Sequence, residues 1–222
     1  MGEFTARAEG VSEEGPQAYE ANVARVCKVI EETKHEEKHS KEKCTILAID
    51  PGATSGYCIS DGHSWNSNSF AIKDLHKVMG VLRDICDEFV RLKDSGKGVG
   101  KGLVVVERPP VLPHMSRISI QTFSLEVGVL VGMLKSILGN ESDTEIVTVF
   151  PAQWVASLYL NSSDKKYRQK ILKDPRVEAL GVRLNSNKTD EADAVLLCIA
   201  SRYFHMRGST LQPFGFNPKS VR

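Results

Sequence analysis

Downstream of residue 43, short β-branched runs alternate with longer segments whose apolar residues recur at helical spacing. Residues 45–49 form an apolar run broken by Pro51-Gly52. Two further runs, 56–60 and 65–70, are separated by the turn pair Asp61-Gly62. This spacing predicts an antiparallel meander. Between 74 and 93, Leu75, Val78, Leu82, Ile85, Cys86 and Phe89 share one face of a predicted helix capped by Asp74. The unbroken apolar run 103–106 reads as a central strand buried on both faces. Pro109, Pro110 and Pro113 then impose an irregular loop before a helix over 119–138. A strand over 145–150, a helix from Pro151, a helix near 164–172 and a last helix over 189–206 complete the pattern. Three strands followed by alternating helices and strands predict an α/β domain, with a mixed five-stranded sheet flanked by helices.

The first 43 residues differ in character. They hold ten acids and seven bases, and a stripe of Val23, Val26, Cys27 and Ile30 supports a helix over 21–37. We read 1–43 as a charged extension, disordered up to residue 16 and partly helical beyond it. Residues 44–207 form the folded domain, and 208–222 form an extended tail. His35-Glu36-Glu37-Lys38-His39 matches the HExxH metalloprotease pattern. That segment is charged all round, so a solvated helix is the better reading.

The 41% hydrophobic content of this 222-residue chain supports one domain with a real core. No apolar run in the sequence approaches membrane-spanning length, and no membrane partner is expected. Five cysteines without a CxxC pair argue against a disulfide framework and a zinc–thiolate site. They suit an intracellular, reducing compartment: cytoplasm, nucleus or organelle matrix. The net charge of +1 hides an asymmetry, because residues 44–222 hold 18 acids and 22 bases. Such a mildly basic remainder is compatible with nucleic acid.

Four acids change the picture. Asp50 ends the run ILAID and Glu107 ends the run LVVVE. Asp190 and Asp193 stand three apart at the head of the last apolar helix, on one helical face, while Glu191 points elsewhere. Singly, Asp50 fits a turn start, Glu107 an ion pair with Arg108, and Asp190 a helix cap. Asp193 lies inside an otherwise apolar helix and is harder to explain this way. Buried carboxylates are costly unless paired or bound to a cation. Together these acids fit a site for two Mg²⁺ ions, with Mn²⁺ as a substitute, because magnesium favours oxygen ligands. Two such ions are suited to hydrolysing a phosphodiester. The chain therefore reads as a metal-dependent nuclease.

These segments resemble the RuvC-like Holliday junction resolvases of the ribonuclease H-like superfamily. Ile49-Asp50-Pro51-Gly52 matches the family's first motif and Val104-Val105-Val106-Glu107 its second. Asp190, Asp193 and Ala194 match its D-x-x-D-A helix start, and Gly128 and Gly132 its small-residue helix. The resemblance spans about residues 44–206. It implies a ribonuclease H-like fold and a homodimer that nicks opposing strands of a four-way DNA junction. On this resemblance Asp50, Glu107, Asp190 and Asp193 hold the metals. The glycine-rich, lysine-bearing segment typical of bacterial members is missing, and loop 108–117 is unlike theirs. These departures suggest a divergent viral, phage or organellar member, acting in the host cell if viral. An RNase or flap nuclease of the same superfamily and a non-cleaving junction-binding module remain the alternatives.

Other segments bear on how DNA would be held. Lys165, Lys166, Arg168, Lys170 and Lys173 form a basic run, which fits a phosphate-facing patch or a solvated helix face. Lys188 adjoins the acid pair, and Arg108 and Arg117 flank the proline-rich loop, where both are candidate phosphate contacts. Val111, Leu112, His114 and Met115 on that loop fit either a wedge between base steps or local packing. Ile120, Phe123, Val127, Leu130, Val131 and Leu134 make helix 119–138 more apolar than one buried face requires. Core packing explains most of them; a dimer face is open for the rest.

Overall fold

All seven residues of CTILAID are buried, and the strand they form is the middle one of the sheet. The computed structural model of the chain describes residues 15–39, 43–52, 54–71, 75–95, 100–108, 116–139, 141, 143–158, 160, 164–186 and 188–207. Its elements begin with α1 (Pro16–His39), β1 (Cys44–Asp50), β2 (Thr54–Ser60), β3 (Trp65–Ala71), α2 (Leu75–Asp94) and β4 (Lys101–Glu107). They continue with α3 (Arg117–Leu138), β5 (Thr144–Val149), α4 (Pro151–Ser157), α5 (Lys165–Leu172), α6 (Pro175–Ala179) and α7 (Thr189–Met206). Strand order is β3-β2-β1-β4-β5. The first three strands pair antiparallel as a meander, and β1–β4 and β4–β5 pair parallel. This is the mixed five-stranded α/β sheet expected from the sequence.

Strand alternation gives the sheet two covered faces. Ile46 and Ala48 of β1, Cys58 of β2 and Val105 of β4 share one apolar cluster with residues of α1, α4, α5, α6 and α7. Leu47, Ile49, Ile59, Val104 and Val106 share the other with α2 and α3. Asp50 and Glu107 are in phase with Ala48 and Val105, so both belong to the α7 face. Helix α7 is buried continuously from Glu191 to Arg202. Its far end is anchored by Arg202, whose Nη2 donates to the backbone oxygens of Ser60 at 2.6 Å and Cys44 at 3.2 Å.

The segment before Cys44 holds a difference from expectation. Helix α1 begins at Pro16, five residues before the predicted start, with proline where its missing N–H costs nothing. Val23, Val26, Val29 and Ile30 are buried in the α7 cluster, so this helix is part of the core. Polar contacts fix its other edge. Tyr19 Oη donates to Asp174 Oδ2 at 3.1 Å, and Arg176 Nη1 donates to Glu20 Oε2 at 2.6 Å. The short α6, which carries Arg176, was not anticipated; Asp174 caps it by accepting from the Arg176 backbone N–H.

Helix α3 is capped by Ser116, whose side chain accepts from the Ser119 N–H. Val127, Leu130, Leu134 and Leu138 pack into the second cluster. Ile118, Leu125 and Val129 are exposed. By length and composition alone, α3 is apolar enough to cross a membrane. That departs from the sequence expectation that no run approaches such a length. Its inward face nevertheless belongs to the core cluster that it shares with β4 and α2. The loop residues 111–115, read as either a wedge or local packing, and the side chains of Ile120 and Phe123 lie outside the described residues, as do 1–14 and 208–222.

Candidate active site

Parallel pairing of β1 with β4 runs to Ile49↔Val106, so Asp50 and Glu107 follow side by side at one carboxyl edge. Gly56 of β2 pairs with Asp50 across the antiparallel ladder. A Cβ on Gly56 would lie 1.9 Å from the Asp190 backbone oxygen. The missing side chain lets the first turn of α7 rest on the sheet, which brings Asp190 and Asp193 to the two strand ends. All four acids predicted as metal ligands therefore gather at one edge.

Basic and aromatic groups bind these acids. Arg168 Nε donates to Asp193 Oδ1 at 2.7 Å and its Nη2 to Oδ2 at 2.9 Å, a bidentate pair between two buried side chains. Lys165 Nζ lies 3.0 Å from Asp190 Oδ1, 3.2 Å from Asp193 Oδ2 and 3.3 Å from Asp50 Oδ2. The indole N–H of Trp154 donates to Glu107 Oε2 at 2.8 Å, and the same ring lies 5.7 Å from the Arg168 guanidinium. One network thus joins α4, α5, α7 and both strand ends.

Burial sets the electrostatics. It pushes the Asp50 carboxyl up to about 6; Lys165 opposes the shift, and Asp193 and Asp190 add to it. Burial pushes Glu107 up to about 8, with the Asp50 charge adding and the Trp154 hydrogen bond opposing. For Lys165, burial disfavours the ammonium, but Asp50, Asp193 and Asp190 outweigh it and raise its pKa.

The donor set is carboxylate oxygen throughout, which suits Mg²⁺ or Mn²⁺. Among the described residues, no three His, Cys, Asp or Glu side chains converge as ligands of one ion. Asp50, Asp190 and Asp193 are instead drawn onto Lys165 and Arg168, and Glu107 onto Trp154. Asp50, Glu107, Asp190 and Asp193 fit a divalent cation by chemistry, with Lys165 among them in this arrangement.

Two of the residues read as phosphate contacts, Lys165 and Arg168, turn toward the acids in this geometry. They stand three apart on the α5 face that packs against α7, where Arg168 is buried against Asp193 and Lys165 meets the acids with one side open to solvent. Lys166, Arg108, Arg117 and Lys188 are exposed, as a DNA-facing role requires. The Arg108 guanidinium sits 4.9 Å from the Phe150 ring centroid.

The alternative reading of Asp190 as a helix cap meets a different arrangement. Lys188 occupies the N-cap position of α7, and Asp190 accepts from Lys165. Glu191, on the opposite side of the helix, is buried and accepts from Ser67 Oγ and the Asn185 N–H, both at 2.6 Å. It ties the 185–186 turn to β3. His35 of the HExxH-like run is exposed, and the side chains of 36–39 lie outside the described residues.

Trp154, and the acid-facing roles of Lys165 and Arg168, were not foreseen. A single tryptophan in a short helix signals only core, and a basic run carries no mark of which lysine turns inward.

The sequence matches no protein-family model and no curated protein. Solved structures do match. Thermus thermophilus RuvC in complex with Holliday junction substrate superposes with a TM-score of 0.50 at 13% identity, covering 75% of this chain and 97% of that one. Another Thermus thermophilus RuvC structure gives 0.50 at 14% identity, over 74% and 97% of the two chains. The yeast mitochondrial Holliday junction resolvase Ydc2 gives 0.44 at 17% identity, over 84% and 93%. The fold expected from the sequence is thus matched in three dimensions: the chain has the mixed-sheet α/β fold of Thermus thermophilus RuvC.

Proposed function

We propose that this protein is a metal-dependent, structure-selective DNA endonuclease that resolves four-way junctions. The observation that supports the reading most directly is the gathering of Asp50, Glu107, Asp190 and Asp193 from two parallel strand ends and one helix start. A pair of Mg²⁺ or Mn²⁺ ions on such acids would activate water and offset charge on the phosphate and the leaving oxygen. The protein's part is positional. The parallel register sets Asp50 beside Glu107, the Trp154 indole aims one Glu107 oxygen, and Arg168 fixes the rotamer of Asp193.

Exposed Arg108, Arg117, Lys166 and Lys188 would contact backbone phosphates, where each neutralised charge adds salt-dependent affinity. A second copy of the chain would cover the exposed Ile118–Leu125–Val129 stripe of α3, giving a homodimer with two sites for opposing strands. An intracellular, reducing setting is part of the proposal, and five free cysteines are in keeping with it.

One observation favours a second reading, a non-cleaving junction-binding module. Lys165 Nζ stands between Asp50, Asp190 and Asp193, on the oxygens a metal would use. A cleavage panel separates the readings. Four-way junctions, flaps, RNA/DNA hybrids and linear duplex are incubated with purified protein, with and without Mg²⁺. The proposal expects symmetric, Mg²⁺-dependent nicks in the four-way junction above all. Junction binding with no cutting in any metal supports the second reading.

A further inference from the structure

We propose that Lys165 and a divalent cation exclude one another at the acid cluster: the ammonium is a built-in competitor that leaves when metal enters. The proposal rests on the reading of these acids as a metal site. Lys165 Nζ reaches Asp50, Asp190 and Asp193 at 3.3, 3.0 and 3.2 Å, so a single ammonium meets three of the four proposed ligands. An ammonium has three N–H donors and no acceptor; here it donates to Asp50 and Asp190 and forms an ion pair with Asp193. A metal ion bound to the same oxygens would stand in van der Waals contact with a like charge. No intervening dipole would screen the two, and one of them must go.

The two basic residues are not equivalent. The Arg168 side chain is 8% exposed and held by both oxygens of Asp193, whereas the Lys165 side chain is 45% exposed and stands in the first turn of α5. Lys165 has a flexible four-carbon stem with solvent on one side, so it swings out without moving the helix. Arg168 is fixed. Formal charge agrees with this division. With all four carboxylates ionised, Lys165 and Arg168 leave a formal charge of −2. Departure of Lys165 leaves −3, which favours entry of a divalent ion. Once released, the ammonium lies at the mouth of the site, where an incoming phosphate would meet it.

Mn²⁺ binding by the wild-type protein, Lys165→Met and the neighbouring control Lys166→Met tests this directly, by titration calorimetry or by the paramagnetic resonance signal of free Mn²⁺. Methionine keeps the stem length and removes the charge. Lys165→Met should bind Mn²⁺ at least about tenfold more tightly than wild type, with Lys166→Met within about twofold of it. Equal affinity in Lys165→Met and wild type overturns the proposal and leaves the metal reading standing. So does an equal gain in both variants, which would mark a general charge effect. Binding by none of the three proteins overturns the proposal and the metal reading together.

A wild-type measurement guards against misfolding of the variant. Acylation of surface amines followed by mass spectrometry should label Lys165 several-fold faster with saturating Mn²⁺ than in EDTA, relative to Lys166. An unchanged Lys165/Lys166 ratio contradicts the proposal.

Discussion

Trp154 donates its indole N–H to Glu107 at 2.8 Å, so the aromatic core of α4 directly holds a carboxylate at the end of β4. Replacing Trp154 by Phe keeps most of the ring and removes the donor. The half-buried Glu107 carboxylate then loses its partner, at a cost of about 1–3 kcal/mol. The bond opposes the upward shift of the Glu107 pKa, so its loss raises that pKa further. Chemical denaturation of Trp154→Phe should show the lower stability, and carbonyl infrared absorption should show Glu107 protonated to higher pH. Unchanged stability and titration would contradict a role for the bond.

Without metal, the site makes stability depend on pH in a defined direction. Folding raises Asp50 from 3.8 to about 6 and Glu107 from 4.5 to about 8. Between those limits the folded protein binds protons that the unfolded chain has released, so stability falls as pH rises. The contribution is complete below about pH 4 and lost above about pH 8, from those same shifts. In EDTA, the melting temperature should decline from pH 5 to pH 8, and Glu107→Gln should flatten most of the decline. A wild-type profile that rises over this range would refute the assignment.

Arg168 and Asp193 form a buried bidentate pair, and removing one partner leaves the other charged in the interior. Arg168→Met should cost about 3–5 kcal/mol. The double variant Arg168→Met/Asp193→Asn should recover part of that loss, because no charge is left unpaired. Equilibrium denaturation of the two singles and the double closes the cycle. Strict additivity would mean that the pair is not coupled.

The strand ends were legible because β-branched runs end abruptly in acids, and ILAID and LVVVE are separable from their surroundings without tertiary information. Helix α7 was legible for a related reason, since Asp193 interrupts an apolar helix that has no surface on which to expose it. The partners were not legible. Trp154, Lys165 and Arg168 reach the acids only through the way α4 and α5 dock on α7, a property of packing and not of local pattern. The apolar stripe of α1 was visible, but its destination was not. Val23, Val26 and Ile30 lie on that stripe, and buried Val29 beside them was missed. Helix α6 is five residues long, too short to show a periodicity.

Leu125 is 69% exposed and Ile118 75% exposed on α3, in line with Val129 along the same stripe. If a second copy covers this stripe, Leu125→Lys places a charge in an apolar interface and should shift the protein from dimer to monomer in sedimentation equilibrium. Each monomer keeps its acid cluster, so Mn²⁺ affinity should stay within about twofold while paired nicking is lost. An unaltered dimer in Leu125→Lys would place the interface elsewhere.

The central claim is that four carboxylates on two strand ends and one helix act together as a metal-dependent nuclease site. Its most direct test compares wild-type protein with Asp50→Asn on a labelled mobile four-way junction, measuring both binding and cleavage in Mg²⁺ and in EDTA. The account predicts cleavage by the wild type in Mg²⁺ only, and junction binding without cleavage by Asp50→Asn. Cleavage by Asp50→Asn at the wild-type rate, or by the wild type in EDTA, would contradict it.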